Sequence, residues 1–224
     1  MFICFIFYLT NLSAQSLKKI TVAFHPMFGM HELNFNDSYF PLNSKDSIQI
    51  ETLKFYISDI ELIKNNNVVW HQENSFHLID IENLNTKSFE INIPSEISYT
   101  RIRFNLGIDS ITNISGALGG DLDPTKGMYW TWQSGYINLK FEGKSNRCNN
   151  PKNEFQFHLG GYQYPYNCLQ KINLAIENKT QIIIEMDLLK FAEKTELSKQ
   201  HHIMSPSDDA VRLSQLFSTI FKVK

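Results

Sequence analysis

The sequence predicts an all-β chain, an antiparallel β-sandwich with a short C-terminal helix, and three observations carry that expectation. Strand-favouring residues are abundant, with 17 Phe and 9 Tyr among 224 residues, and aromatic and β-branched side chains suit a pleated, half-buried surface. Roughly nine or ten short apolar runs recur between clusters of turn-forming residues, the spacing of a sandwich or barrel. Helical periodicity is confined to the C-terminal tail. Hydrophobic residues make up 42% and charged residues 20%, enough apolar material for a sizeable core and too much for a disordered chain.

The elements follow in order. "MFICFIFYLTNLSAQ" opens with an apolar run, Phe2 to Leu9, followed by small polar residues. It reads as a secretory signal over residues 1–14 with cleavage after Ala14, although no Lys or Arg precedes Lys18; a buried first strand is the competing reading. No internal repeat or linker interrupts the rest, so residues 15–224 read as a single domain. Strand-like runs are "KITVAFHPMF", "IQIETLKFYISDIELI", "VVWHQ" after the turn "KNNN", "SFHLIDI", "SFEINI" ending at Pro94, and "YTRIRFNLGI". A loop rich in Gly, Asp and Asn runs from Ser110 to Lys126, and then comes "GMYWTWQSGYINLKFEG". In that stretch Trp130 and Trp132 have the opposite parity to Ile137, Leu139 and Phe141, so a bulge at Ser134-Gly135 is expected to bring both sets to the core. "EFQFHLGGY", "KINLAIEN" and "TQIIIEMDLL" complete the strands. In the tail, Ser205 is the expected N-cap with Pro206 at N1, and Ala210, Leu213, Phe217 and Ile220 recur at helical spacing.

The formal net charge of -2 gives no electrostatic reason to expect nucleic acid or an anionic membrane as partner. No further segment approaches the roughly 20 apolar residues that span a bilayer. The mature chain is therefore expected in the periplasm, outside the cell or on its surface. Outside the signal only Cys148 and Cys168 remain. In an oxidising compartment they are expected to form a disulfide, worth roughly 3 kcal/mol for a loop of about 20 residues; a pair of thiolate metal ligands is the alternative.

Three dipeptides repeat a pattern, Phe24-His25, Phe76-His77 and Phe157-His158, each inside a strand-like run with the His facing away from its Phe. Three imidazoles from separate strands can converge on Cu, Zn, Fe or Ni, or be unrelated polar positions. "WHQENSFH" places Trp70, His71 and His77 close together, and "HH" at His201-His202 reads as solvated loop. "GGDLDPTKG" spaces Asp121 and Asp123 like the first two ligands of a calcium loop, but Trp132 would stand at position twelve, which excludes an EF-hand. No GxSxG, P-loop or GxGxxG motif is present, and the chain is expected not to be an enzyme.

With these segments placed, their order resembles the MbnP family of exported proteins associated with methanobactin operons. The matching stretches are "LKFYISDIEL", "FHLIDIEN", "RFNLGIDSITNISGALGGDLDPTKGMYWTWQSGYINLKFEG", "FQFHLGGY" and "IMSPSDDAVRLSQLFSTIF". The resemblance implies a β-rich periplasmic or surface protein binding copper through imidazoles and a tryptophan oxidised to kynurenine. It also implies a partner dihaem protein related to cytochrome c peroxidases that performs the oxidation. Carried over residue by residue, His77 and His158 lie in matching motifs and His25 in the first strand, making these three the expected copper ligands. Trp70, Trp130 and Trp132 are the candidates for oxidation. The alternative is a metal-free carbohydrate- or surface-binding module, which expects those tryptophans to form an exposed, coplanar platform.

Overall fold

The structure, a computed structural model, describes residues 16–35, 40–41 and 46–224. The expected signal segment, with its cleavage point after Ala14, lies outside the described residues. The main strands are β1 (Leu17–Phe28), β2 (Ser47–Lys64), β3 (Asn67–Asp80), β4 (Ser88–Pro94), β5 (Arg101–Leu106), β6 (Gly135–Ser145), β7 (Glu154–Gly160), β8 (Gln170–Ala175), β9 (Gln181–Asp187) and β10 (Phe221–Val223). The helices longer than one turn are α1 (Ser110–Ile114), α2 (Leu188–Lys194) and α3 (Asp208–Ser218).

These strands form because apolar residues alternate. In β1, Ile20, Val22, Phe24 and Phe28 are buried while Thr21, Ala23 and His25 face the other way, the period of two that a pleated strand imposes. β1 pairs antiparallel with β4 on one edge and parallel with β9 on the other, and β10 pairs with β9. A larger sheet runs β8–β5–β2–β6–β7, with β3 along β2. Phe24 of the first sheet meets Phe55 and Phe104 of the second at ring separations of 5.6 and 6.1 Å. One apolar cluster therefore spans both sheets, each fully buried ring contributing about 1.5–3 kcal/mol. Phe191 of α2 and Phe217 of α3 plug the same core, 5.2 Å apart.

The β-rich class is as expected, but the sheets are mixed, not purely antiparallel. β1 and β9 run parallel, and so do β7 and the short bridge His202–Ile203. Parallel neighbours need a long crossover, and here β2 to β8 all lie in sequence between β1 and β9. The tail helix is present with Ala210, Leu213 and Phe217 buried, but it starts later than the sequence indicates. Its N-cap is Ser207, whose Oγ accepts from Ala210 N at 3.1 Å, leaving Pro206 outside the first turn. The helix does not end the fold either, because β10 follows it. His201-His202 is not free loop: Gln156 N donates to His201 O at 2.8 Å and His202 pairs with Gln156.

The aromatic stretch is a hairpin, not one bulged strand. Tyr129–Trp130 pairs back on Tyr136 and Gly135 through a turn in which Ser134 has φ 51°. The bulge lies further on, at Asn138, where β6 slips against β7 between Ile137 and Leu139. Ile137 thereby joins a second apolar cluster with Tyr56, Leu122, Met128 and Trp130, on the outer side of the large sheet, while Leu139 and Phe141 join the main core. Asp121 belongs to this covering loop: its Oδ2 accepts from Leu78 N at 3.0 Å and its Oδ1 from Lys126 Nζ at 2.5 Å. The two acids of the calcium-like spacing are thus hydrogen-bonded in place, Asp123 capping its own turn through Thr125.

The expected disulfide is not formed; Cys148 and Cys168 are free, buried thiols. The topology keeps them apart. Cys148 N bonds Ser145 O, and Ser145 N bonds Asn153 O, just before β7; Cys168 N bonds Gly161 O, just after it. The length of β7 between them is roughly 20 Å, whereas a disulfide requires Cα atoms within about 7 Å. Burial pushes each thiol up to about 11, so both are protonated at neutral pH.

Candidate functional site

The best-formed polar site grows from a defect in the longest strand. β2 carries β3 on one edge, and its other edge is shared by β6 as far as Phe55 and by β5 from Ile57. At the hand-over, Gly107 N donates to Tyr56 O at 2.9 Å and Ile108 N to Asn138 Oδ1 at 3.0 Å. Gly107 has φ +113°, and a Cβ there would stand 2.4 Å from Asn138 Cγ, so only glycine fits. Just beyond, the register of β2 slips between Ser58 and Ile60, and Asp59 is left unpaired with φ 53°. A non-glycine residue in the left-handed region costs of order 1 kcal/mol and is retained where its surroundings fix it.

The bulge aims the Asp59 carboxylate across β3 and β5. Its Oδ1 lies 2.7 Å from His71 Nε2, its Oδ2 accepts from Asn105 Nδ2 at 3.2 Å, and Lys171 Nζ stands 3.9 Å away. A cavity of about 600 Å³ opens over this group, lined also by Glu73, Asp109 and Ser110. Asn105 is buried, and its Oδ1 has no hydrogen-bond partner. An unpaired buried acceptor is costly unless a ligand or solvent group meets it. With Nε2–H donated to Asp59, the Nδ1 lone pair of His71 is left as acceptor. Carboxylate-oriented imidazole is the usual arrangement behind a metal ligand. The cavity also carries three carboxylates, Asp59, Glu73 and Asp109, a surplus of negative charge that favours a cation.

The three expected ligands occupy three different environments. His25 is on the outer side of the first sheet, in register with Glu185. His77 pairs with Ile57 and stacks on Phe89, ring centroids 3.7 Å apart and 6° from parallel, with Nε2 3.2 Å from Gln72 Oε1. Burial lowers its pKa, partly opposed by the charge of Asp121. His158 is buried on the outer side of the large sheet, its Nε2 2.6 Å from Glu142 Oε1, and that bond is the main cause holding the Glu142 carboxyl below its ordinary value. The residues do not fit a three-imidazole copper site. Among the described residues, no group of three or more His, Cys, Asp or Glu is placed to hold a metal ion, and that includes Asp59, His71, Glu73 and Asp109 as they stand.

The tryptophans also separate. Trp70 is half-buried against the main core, on the opposite face of β3 from His71. Trp130 is 6% exposed and Trp132 66%. Their rings are 5.8 Å apart and inclined at 45°, not coplanar. Asp59, Glu73 and Asn105 carry no signal in the sequence, because a bulge and a cross-strand neighbour are not properties of spacing. His71 was visible only as the residue beside Trp70.

The sequence matches the MbnP family over residues 17–205. In three dimensions the chain resembles MbnP from Methylosinus trichosporium, with a TM-score of 0.57 and 13% identity, over 82% of this chain and 80% of that one. Among curated proteins none matches it at the sequence level.

Proposed function

The chain belongs to the MbnP family, and from that premise we propose that it is an exported, non-enzymatic β-sandwich protein that binds a metal cation, copper in the first instance. The site we assign is the Asp59–His71 cavity and not the His25, His77 and His158 set. The observation that carries this reading is an imidazole oriented by a carboxylate at a strained bulge, facing a cavity that holds an unpartnered buried acceptor. Imidazole suits copper. His71 Nδ1 would supply the first donor. Glu73, exposed on the bend before Asn74 (φ 50°), would turn in as the second, beside Asn105 Oδ1. A partner dihaem oxidase and a tryptophan modification belong to the same reading. Trp132 is our candidate there, because its ring alone of the three is mostly exposed.

The test is copper titration of the mature chain with a competing chelator. His71→Ala is expected to weaken binding by about 100-fold or more, and Asp59→Ala by about 10- to 100-fold, the range for loss of an outer-shell partner. His25→Ala and His77→Ala should leave affinity unchanged. Wild-type affinity in His71→Ala, or loss of binding in His77→Ala, overturns the assignment.

A further inference from the structure

We propose a second ligand site, independent of the metal reading, in an uncharged cleft beside the cavity, and assign it to a neutral saccharide. The cleft measures about 280 Å³ and is lined by Gln133, Tyr162, Tyr164, Pro165, Tyr166 and Pro206, with Gly161 at its base. A short hairpin builds it: Tyr162–Gln163 pairs with Tyr166–Asn167 around the Tyr164-Pro165 tip. Gly161 has φ +131°, and a Cβ there would stand 2.2 Å from Tyr166 O and 3.1 Å from Pro206, so the hairpin root is closed tightly on the segment leading into α3.

Three properties select the ligand. No Asp, Glu, Lys, Arg or His lines the cleft, which disfavours an ionic ligand because nothing would replace its lost hydration. Large aromatic groups are nevertheless turned to solvent: Tyr164 is 98% exposed, Tyr166 36%, and Trp132, next to Gln133 in the adjoining turn, 66%. Flat, amphipathic rings with a polar edge bury apolar ligand faces while keeping a hydrogen-bonding tip. Finally, Gln133 and Gln163 bring uncharged amide residues to the lining. A ligand that presents C–H faces to tyrosine rings and hydroxyl groups to an amide meets these conditions, and a sugar ring does both. The neighbouring cavity is instead lined by charged residues, although Ser110 lines it and donates through Oγ to Tyr162 O at 2.8 Å, so the two sites adjoin.

The experiment is calorimetric titration of the metal-free mature chain with neutral hexasaccharides of glucose and of N-acetylglucosamine, and with a uronic-acid hexasaccharide as the charged control. At least one neutral probe is expected to bind and the charged control not to. Tyr164→Ala, which removes an exposed side chain and leaves the fold intact, should weaken binding about tenfold, the order of one stacking contact. Gln133→Glu should weaken it further, and His71→Ala should leave it unchanged. Binding of neither neutral probe, preference for the uronic-acid probe, or wild-type affinity in Tyr164→Ala overturns the proposal. Failure here leaves the copper titration untouched, since the two sites have no lining residue in common.

Discussion

Two imidazole–carboxylate pairs stand on the large sheet with nearly the same contact and opposite surroundings. His158 Nε2 lies 2.6 Å from Glu142 and His71 Nε2 2.7 Å from Asp59. The first pair is closed off, its side chains 8% and 23% exposed; the second opens on a cavity, at 37% and 34%. Glu142 and His158 sit two rungs apart on the regularly paired stretch of β6 and β7 before the slip at Asn138, where alternation leaves both on one face. Asp59 sits at a bulge that breaks that regularity. Equal chemistry therefore sits in different settings: the enclosed pair ties β6 to β7, and the open pair leaves a ring nitrogen at a cavity. Distance alone does not separate them, and burial with strand regularity does.

The largest expected effect that tests this contrast is on stability. His158→Ala leaves a mostly buried carboxylate without its partner and should lower unfolding free energy by about 2–3 kcal/mol, as breaking enclosed ion pairs does. His71→Ala removes a pair open to water and should cost under about 1 kcal/mol. Urea unfolding of the two variants measures both. Equal losses would erase the distinction between the enclosed pair and the cavity-facing one.

A smaller effect separates the bulge from the carboxylate. Asp59→Gly relieves the positive φ while deleting the partner of His71 and Asn105. The two contributions oppose each other, each of order 1 kcal/mol, so stability should move by less than about 1 kcal/mol while copper affinity falls as in Asp59→Ala. If the glycine variant keeps full affinity, the bulge geometry and not the carboxylate makes the site.

The same pairs mark where the sequence could be read and where it could not. Alternation placed Phe24, Phe157 and the outward-facing His25 and His158 correctly, because period two is a local property of the strand. The Phe76-His77 step inverts the pattern: His77, opposite Ile57, faces the main core side, and Phe76 packs on the outer cluster. What the sequence could not give was the neighbour. Glu142 stands sixteen positions from His158 and reaches it only through the β6–β7 register. Asp59 reaches His71 because of one unpaired residue, which no periodicity announces. The pairing of Cys148 with Cys168 failed for the same reason, since counting thiols is blind to a strand lying between them.

The subtlest expected effect is the pH dependence of the enclosed pair. Hydrogen bonding from His158, then the charges of Lys140 and His158 and a bond from Thr52, holds Glu142 below its ordinary value of 4.5, against the opposing effect of burial. A carboxyl whose folded pKa is depressed contributes stability that is fully present above its unfolded value. That contribution is lost as pH falls through the folded one, because the unfolded chain takes up the proton first. Stability should therefore decline as pH drops below about 4.5, and Glu142→Gln should remove part of that slope while lowering stability at neutral pH. If Glu142→Gln leaves the acid limb of the unfolding curves as steep as in the wild type, the Glu142–His158 pair does not hold the sheet through proton linkage.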